Sequence, residues 1–151
     1  MFTAAAYRVE RLAVERDATS AGRSIVAEWR QGMATIEDVR ALGSTLERSY
    51  EVIVRGRLKF RVAQLVYVAF SRDERTMEFA FPKEMRDGLI GGQPEKFRLP
   101  APSDLRFNWV SSDLEALDAG EAREFVVDAW RMVVPQKVSR AYDLAHPNGP
   151  G

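Results

Sequence analysis

The sequence predicts an antiparallel sheet with helices packed on it, the arrangement of an α+β domain. Three observations carry that expectation. Strand-like runs follow one another between residues 50 and 81, a wide apolar helical face lies between 119 and 134, and the chain of 151 residues is 46% hydrophobic. That length and composition suit one domain with one core.

Residues 1–32 hold five basic and four acidic residues and few large aliphatics. They read as an N-terminal extension, partly disordered or helical, with helical character near Ile25 to Arg30. A domain follows over 33–142, and Met33 is a candidate start. Thr35 with Asp38 three residues on forms a capping pattern, and Ile36, Val39, Leu42 and Leu46 continue at helical spacing. Gly43 is placed to end that helix.

From Tyr50 to Val62 the chain alternates without a break. Tyr50, Val52, Val54, Leu58, Phe60 and Val62 fall on even positions, and Glu51, Ile53, Arg55, Arg57, Lys59 and Arg61 on odd ones. A tight hairpin at Arg55-Gly56 would set Val54 beside Arg57 and Val52 beside Lys59, mixing the two sets. The unbroken register therefore predicts one long strand, bent at Gly56. Leu65–Phe70, apolar throughout, predicts a central strand reached by a turn at Ala63-Gln64. Ser71–Arg75 is a polar connection, after which Thr76–Phe81 alternates with Met77, Phe79 and Phe81 on one face. These runs make an antiparallel meander.

Pro82 suits a first helical position, and Lys83–Ile90 gives about two turns before Gly91-Gly92. Pro94, Pro100 and Pro102 mark a loop, and Leu105, Phe107 and Trp109 alternate with Arg106, Asn108 and Val110 as a further strand. Asp118 with Glu121 repeats the capping pattern and opens the clearest helix, about Ala119 to Val134. Its stripe of Glu121, Glu124, Asp128 and Arg131 is narrow. Its apolar face of Ala122, Phe125, Val126, Ala129, Trp130 and Val133 is wide and calls for a sheet to pack on. Pro135 ends it, Gln136–Tyr142 adds a short turn, and 143–151 reads as a disordered tail.

Lysine plus arginine total 22, as do aspartate plus glutamate, so a strongly basic, histone-like protein is excluded. The absence of cysteine removes disulfides, thiolate nucleophiles and cysteine metal sites. The one histidine, His146, lies in the tail, which removes histidine triads and multi-histidine metal sites. Glu124 and Asp128, a helical turn apart, have the spacing of a carboxylate pair or hard-metal site. Acids suit the first turns of a helix, however, and Asp128 has Arg131 three residues on. Gly88, Gly91 and Gly92 lack the strand–loop–helix setting of a phosphate loop. Trp109 and Trp130 sit in apolar repeats, which favours core packing over base stacking. Nothing pairs a nucleophile with a base. The expectation is a non-enzymatic protein with no catalytic, cofactor-binding or metal-binding residues. With no secretory pattern and no long apolar span, it is expected in the cytoplasm and off the membrane.

The sharpest feature is the row Arg55, Arg57, Lys59 and Arg61. Alternate strand residues stand about 6.7 Å apart, so four cations span roughly 20 Å, enough to follow several phosphates. Residues 48–61 carry five basic residues against one acidic, and 113–128 carry six acidic against Arg123. Neutrality is thus a cancellation of local excesses. The row admits two readings, a phosphate-tracking face or a solvated face whose cations pair with neighbours such as Glu78. A two-residue turn at Ala63-Gln64 would also put Val66, Val68 and Phe70 on the face of Arg61.

Several segments in order resemble the MmcQ/YjbR-like family of small bacterial proteins over about residues 34–142. They are Phe60-Arg61-Val62, Val66-Tyr67-Val68-Ala69-Phe70, Phe81-Pro82-Lys83-Glu84, Asn108-Trp109-Val110, and Asp128-Ala129-Trp130-Arg131 with its following Pro135 and Lys137. The Asp-Ala-Trp-Arg segment is the most specific. Ala63-Gln64 stands where members usually have Gly-Gly, and Ser111-Ser112-Asp113 is more polar than their usual Val-rich strand. The resemblance implies a two-layer α+β domain with an antiparallel sheet and packed helices, similar to frataxin-like and secretion-chaperone-like shapes. It also implies the family's usual label, a DNA-binding protein whose hairpins act as a double wing. The resulting expectation is contact with DNA backbone through Arg55, Arg57, Lys59 and Arg61, with Lys137 and Arg140 as outlying contacts. The alternative is a protein-interaction or small-ligand module with no nucleic-acid role, and a homodimer follows if its opposite local charges meet across two subunits.

Overall fold

The computed structural model describes residues 32–150, so the expected extension lies outside the described residues apart from Gly32. Helix α1 (Ile36–Gly43) leads into strands β1 (Ser49–Val54), β2 (Arg57–Val62), β3 (Leu65–Phe70) and β4 (Thr76–Ala80). Helix α2 (Lys83–Gly92) and the short strand β5 (Phe97–Arg98) follow. Strand β6 (Trp109–Asp113) and helices α3 (Ala119–Arg131) and α4 (Gln136–Ala145) complete the order. Six strands form one sheet in the order β1-β2-β3-β4-β6-β5, every neighbouring pair antiparallel. Helices α1 and α3 pack on one face of it, giving the expected α+β domain.

The inner face of the sheet is apolar because alternate residues of each strand project there. Phe60, Tyr67, Phe70, Met77, Phe79 and Val110 are buried on it, and α3 sends Ala122, Phe125, Val126, Ala129 and Trp130 against them. The Phe125 ring lies 4.9 Å from that of Phe79 and 5.2 Å from that of Phe97. Both capping boxes form, Thr35 with Asp38 and Asp118 with Glu121. The Trp130 indole donates to the Glu47 carbonyl at 2.9 Å, tying the end of α3 to the turn before β1. Gly43 is the last residue of α1, yet its main role is contact, since a Cβ there would lie 2.6 Å from the Phe60 ring.

Four local expectations need correction. The long strand over 50–62 is a hairpin, with Arg55 at φ 52 and Gly56 at φ 77 in a two-residue turn. Val54 does pair with Arg57 and Val52 with Lys59, the mixing whose avoidance is the ground for expecting one strand. Mixing costs little because β1 is an edge strand reaching past the helices. Ile53, on the helix side of the sheet, is 72% exposed, and register is enforced only where a face is buried. The expected strand from Leu105 begins instead at Trp109. Its first carbonyls are taken by a side chain, for Arg86 donates to the carbonyls of Leu105, Phe107 and Trp109 at 3.0 to 3.1 Å. Helix α2 continues through Gly91-Gly92. Helix α4 runs to Ala145, three residues into the expected tail.

Candidate nucleic-acid interface

Strand β2 alternates perfectly between the two faces of the sheet. Leu58, Phe60 and Val62 are buried in the core, and Arg57, Lys59 and Arg61 project from the opposite, outer face, each half-buried. Arg55 leaves this row for the hairpin tip, where its left-handed backbone turns the chain and its carbonyl accepts from Arg72 Nε at 3.1 Å. The row is therefore three cations long, about 13 Å from end to end, with a fourth beyond it at the tip.

A β-bulge keeps this face from becoming apolar. Phe60 pairs with Val68 and Arg61 with Val66, so two residues of β3, Tyr67 and Val68, stand against one of β2. Both turn inward. Val68 and Phe70 then lie in the core, and Val66 and Ala69 alone of β3 share the cations' side, which corrects the expectation for Val68 and Phe70. On the other flank stand Tyr50, Val52 and Val54 of β1, level with Arg61, Lys59 and Arg57. They give the long side chains apolar surface to lie on. The Tyr50 hydroxyl donates to the carbonyl of Ala63, which holds the second turn although Ala63 has φ 52.

The cations differ in how they are engaged. Arg57 Nε donates to the Phe70 carbonyl at 2.9 Å, and its guanidinium lies 3.6 Å from Glu78 on β4. Lys59 and Arg61 make no ion pair among the described residues, and Arg61 Nε is buried there without a hydrogen-bond partner. The expected pairing with Glu78 is present at Arg57, and Lys59 and Arg61 have no carboxylate partner among the described residues. Lys137 and Arg140 are exposed on α4. That helix rests on the helical layer, with Tyr142 5.3 Å from Trp130 and Asp143 bonded to Arg131. They do not join the row.

The acidic stretch at 113–128 is largely structural. Lys96 Nζ lies 2.9 Å from Glu121, whose pKa is raised because burial outweighs that cation. The Arg98 guanidinium, 2.7 Å from Asp113, holds that carboxyl below its usual value. Asp128 meets Arg131 at 2.6 Å, as its spacing suggested. Among the described residues no group of histidine, cysteine, aspartate and glutamate could hold a metal ion. Trp130 is fully buried as expected, whereas Trp109 is half-buried on the outer face opposite Ala80. Arg98 joins the same face from β5. Two strand residues between Pro94 and Pro100 offer no period to read, so Arg98 carried no sequence signal.

The fold resembles the crystal structure of the Deinococcus radiodurans protein DR2400, which holds the domain DUF419. The two agree with a TM-score of 0.59 at 19% identity, over 75% of this chain and 88% of that one. At this identity the likeness is one of fold, and DUF419 is related to the MmcQ/YjbR fold. No family model and no curated protein matches the sequence. Among the described residues no helix is long and apolar enough to cross a membrane.

Proposed function

We propose that this is a non-enzymatic, cytoplasmic DNA-binding protein that engages the sugar–phosphate backbone with the outer face of its sheet. The observation that carries the reading is the pair Lys59 and Arg61. They are adjacent cations on one face of a strand, without ion pairs among the described residues, while Arg57, Lys96, Arg98 and Arg131 each meet a carboxylate. An uncommitted cation gives up nothing when a phosphate arrives, and each phosphate neutralised releases counterions. The β1–β2 hairpin, with Arg55 at its tip, is a projection of the kind the resemblance to MmcQ/YjbR-like proteins associates with DNA. Contacts of this type position a protein on the duplex without reading its sequence.

Fluorescence anisotropy with a labelled duplex tests the reading. Contacts from Arg55, Lys59 and Arg61 give a log–log salt slope near −2.7, from roughly −0.9 per phosphate, and about a 40-fold loss of affinity between about 50 and 200 mM salt. Replacing Lys59 and Arg61 with alanine reduces the slope by about 1.8. No binding at the lower salt, or an unchanged slope in the double variant, rules the reading out.

A further inference from the structure

Strand β1 is the outermost strand of the sheet on the hairpin side. In a two-residue hairpin the residues flanking the turn bond each other, so Val54, Val52 and Tyr50 direct their backbone groups to β2. Those of Glu51 and Ile53 point off the sheet. Ser49, of the same parity, agrees, since its N–H goes to the Leu46 carbonyl at 3.1 Å rather than to β2. Among the described residues no backbone bond outside the hairpin reaches Glu51 or Ile53. Of the devices that blunt an edge, Ser49–Val54 has no proline, lysine or arginine, and the bulge lies further in, between β2 and β3. Ile53 is 72% exposed and Tyr50 43%, and the one charge, Glu51, is already met by Arg40 at 3.3 Å.

We infer that a second copy of this chain pairs with β1, the two strands running antiparallel about a two-fold axis at Val52. Self-complementarity of the edge selects this occupant. With Val52 on the axis, Glu51 of each copy faces Ile53 of the other, and the four outward backbone groups of Glu51 and Ile53 in each strand are satisfied. Opposed residues of an antiparallel pair share a face. Val52 therefore meets its equivalent on the outer face, and Tyr50 meets Val54. Centring on Glu51 instead would oppose two carboxylates. In the chosen register Arg55 of one copy stands level with Ser49 of the other, beside the exposed Arg48–Glu47 pair. The two β2 rows would lie about 14 Å apart, three strand spacings, on one continuous sheet. The inference stands independently of DNA binding.

The chain has no cysteine, so single cysteines report position in the full-length protein. Val52→Cys sits in a pair without mutual hydrogen bonds, Cα atoms about 4.5 Å apart, within disulfide reach. Mild oxidation is expected to give a covalent dimer with Val52→Cys and far less with Ile53→Cys, which is offset on the other face. Ile53→Pro removes an N–H that β2 does not use, and sedimentation should turn from dimer to monomer. Should that variant fail to fold, Val52→Lys sets like charges on the axis with its side chain outside the core, with the same expected result. A wild-type chain monomeric up to about 100 μM overturns the inference. So does a dimer that survives the edge substitutions, or one cross-linked better through Ile53→Cys.

Discussion

A methyl group at position 43 has nowhere to go. Three ring atoms of Phe60 lie 2.6, 2.9 and 3.0 Å from where it would stand, and Phe60 is itself buried against Tyr67, ring centroids 6.3 Å apart. Alanine favours a helix over glycine by about 1 kcal/mol, but overpacking a closed core outweighs that. Gly43→Ala is expected to lower the free energy of unfolding by roughly 1–2 kcal/mol net, read as an earlier urea midpoint at unchanged m. Tyr67 shows a second residue-scale effect. It is buried with its hydroxyl 2.5 Å from Ser49 Oγ, and burial, opposed by that hydrogen bond, pushes its pKa up to about 12. The unfolded chain gives up this proton near pH 10, while the folded protein still holds it. Stability from this group is therefore intact below pH 10 and falls as pH rises toward 12, by up to about 2–3 kcal/mol. Urea titrations at pH 9 and 11 should show the loss in the wild type and a flatter response in Tyr67→Phe.

At the scale of elements, the segment from Leu105 to Trp109 depends on a side chain from α2. Arg86 is 7% exposed and donates to three carbonyls there. Arg86→Met keeps the stem and removes the donors, with an expected cost of about 2–4 kcal/mol. Backbone amides of Leu105–Trp109 should then exchange faster while those of β3 stay protected. Such dependence explains which elements were legible in the sequence. Thr35 and Asp118 cap their helices through residues three positions away, and the apolar face of α3 repeats every turn, so both are written locally. The start of β6 is set by Arg86, some twenty residues upstream in the chain, and no local period records it. The β1–β2 hairpin stayed hidden because an edge strand has no buried face to police its register. The bulge at Tyr67-Val68 stayed hidden because every residue from Leu65 to Phe70 is apolar. The candidate site follows the same division. The alternation of Arg57, Lys59 and Arg61 was readable, whereas the departure of Arg55 into a turn, the Glu78 partner of Arg57 and the separation of Lys137 and Arg140 depend on tertiary pairing.

At the scale of the whole molecule, the charges of the described residues are arranged so that stability and open charge sit on different residues. Arg57 belongs to the framework, since it bonds the Phe70 carbonyl and faces Glu78 across β3. Lys59 and Arg61 project from the same strand face but carry no ion pair among the described residues. Reversing their charges breaks no ion pair among the described residues, and substitutions that disturb no such feature usually fall within about 0.5 kcal/mol. Glutamate in place of both should leave the thermal midpoint nearly unchanged and abolish duplex binding at about 50 mM salt, because two attractive contacts become repulsive. Arg57→Ala should do the opposite, costing roughly 1 kcal/mol through the lost carbonyl bond while leaving most of the salt-dependent affinity. Measured side by side by thermal melts and anisotropy, the two variants separate a cation that holds the sheet from cations that face outward. A double reversal that unfolds the protein, or an Arg57→Ala protein that loses binding at full stability, would contradict this division of charge.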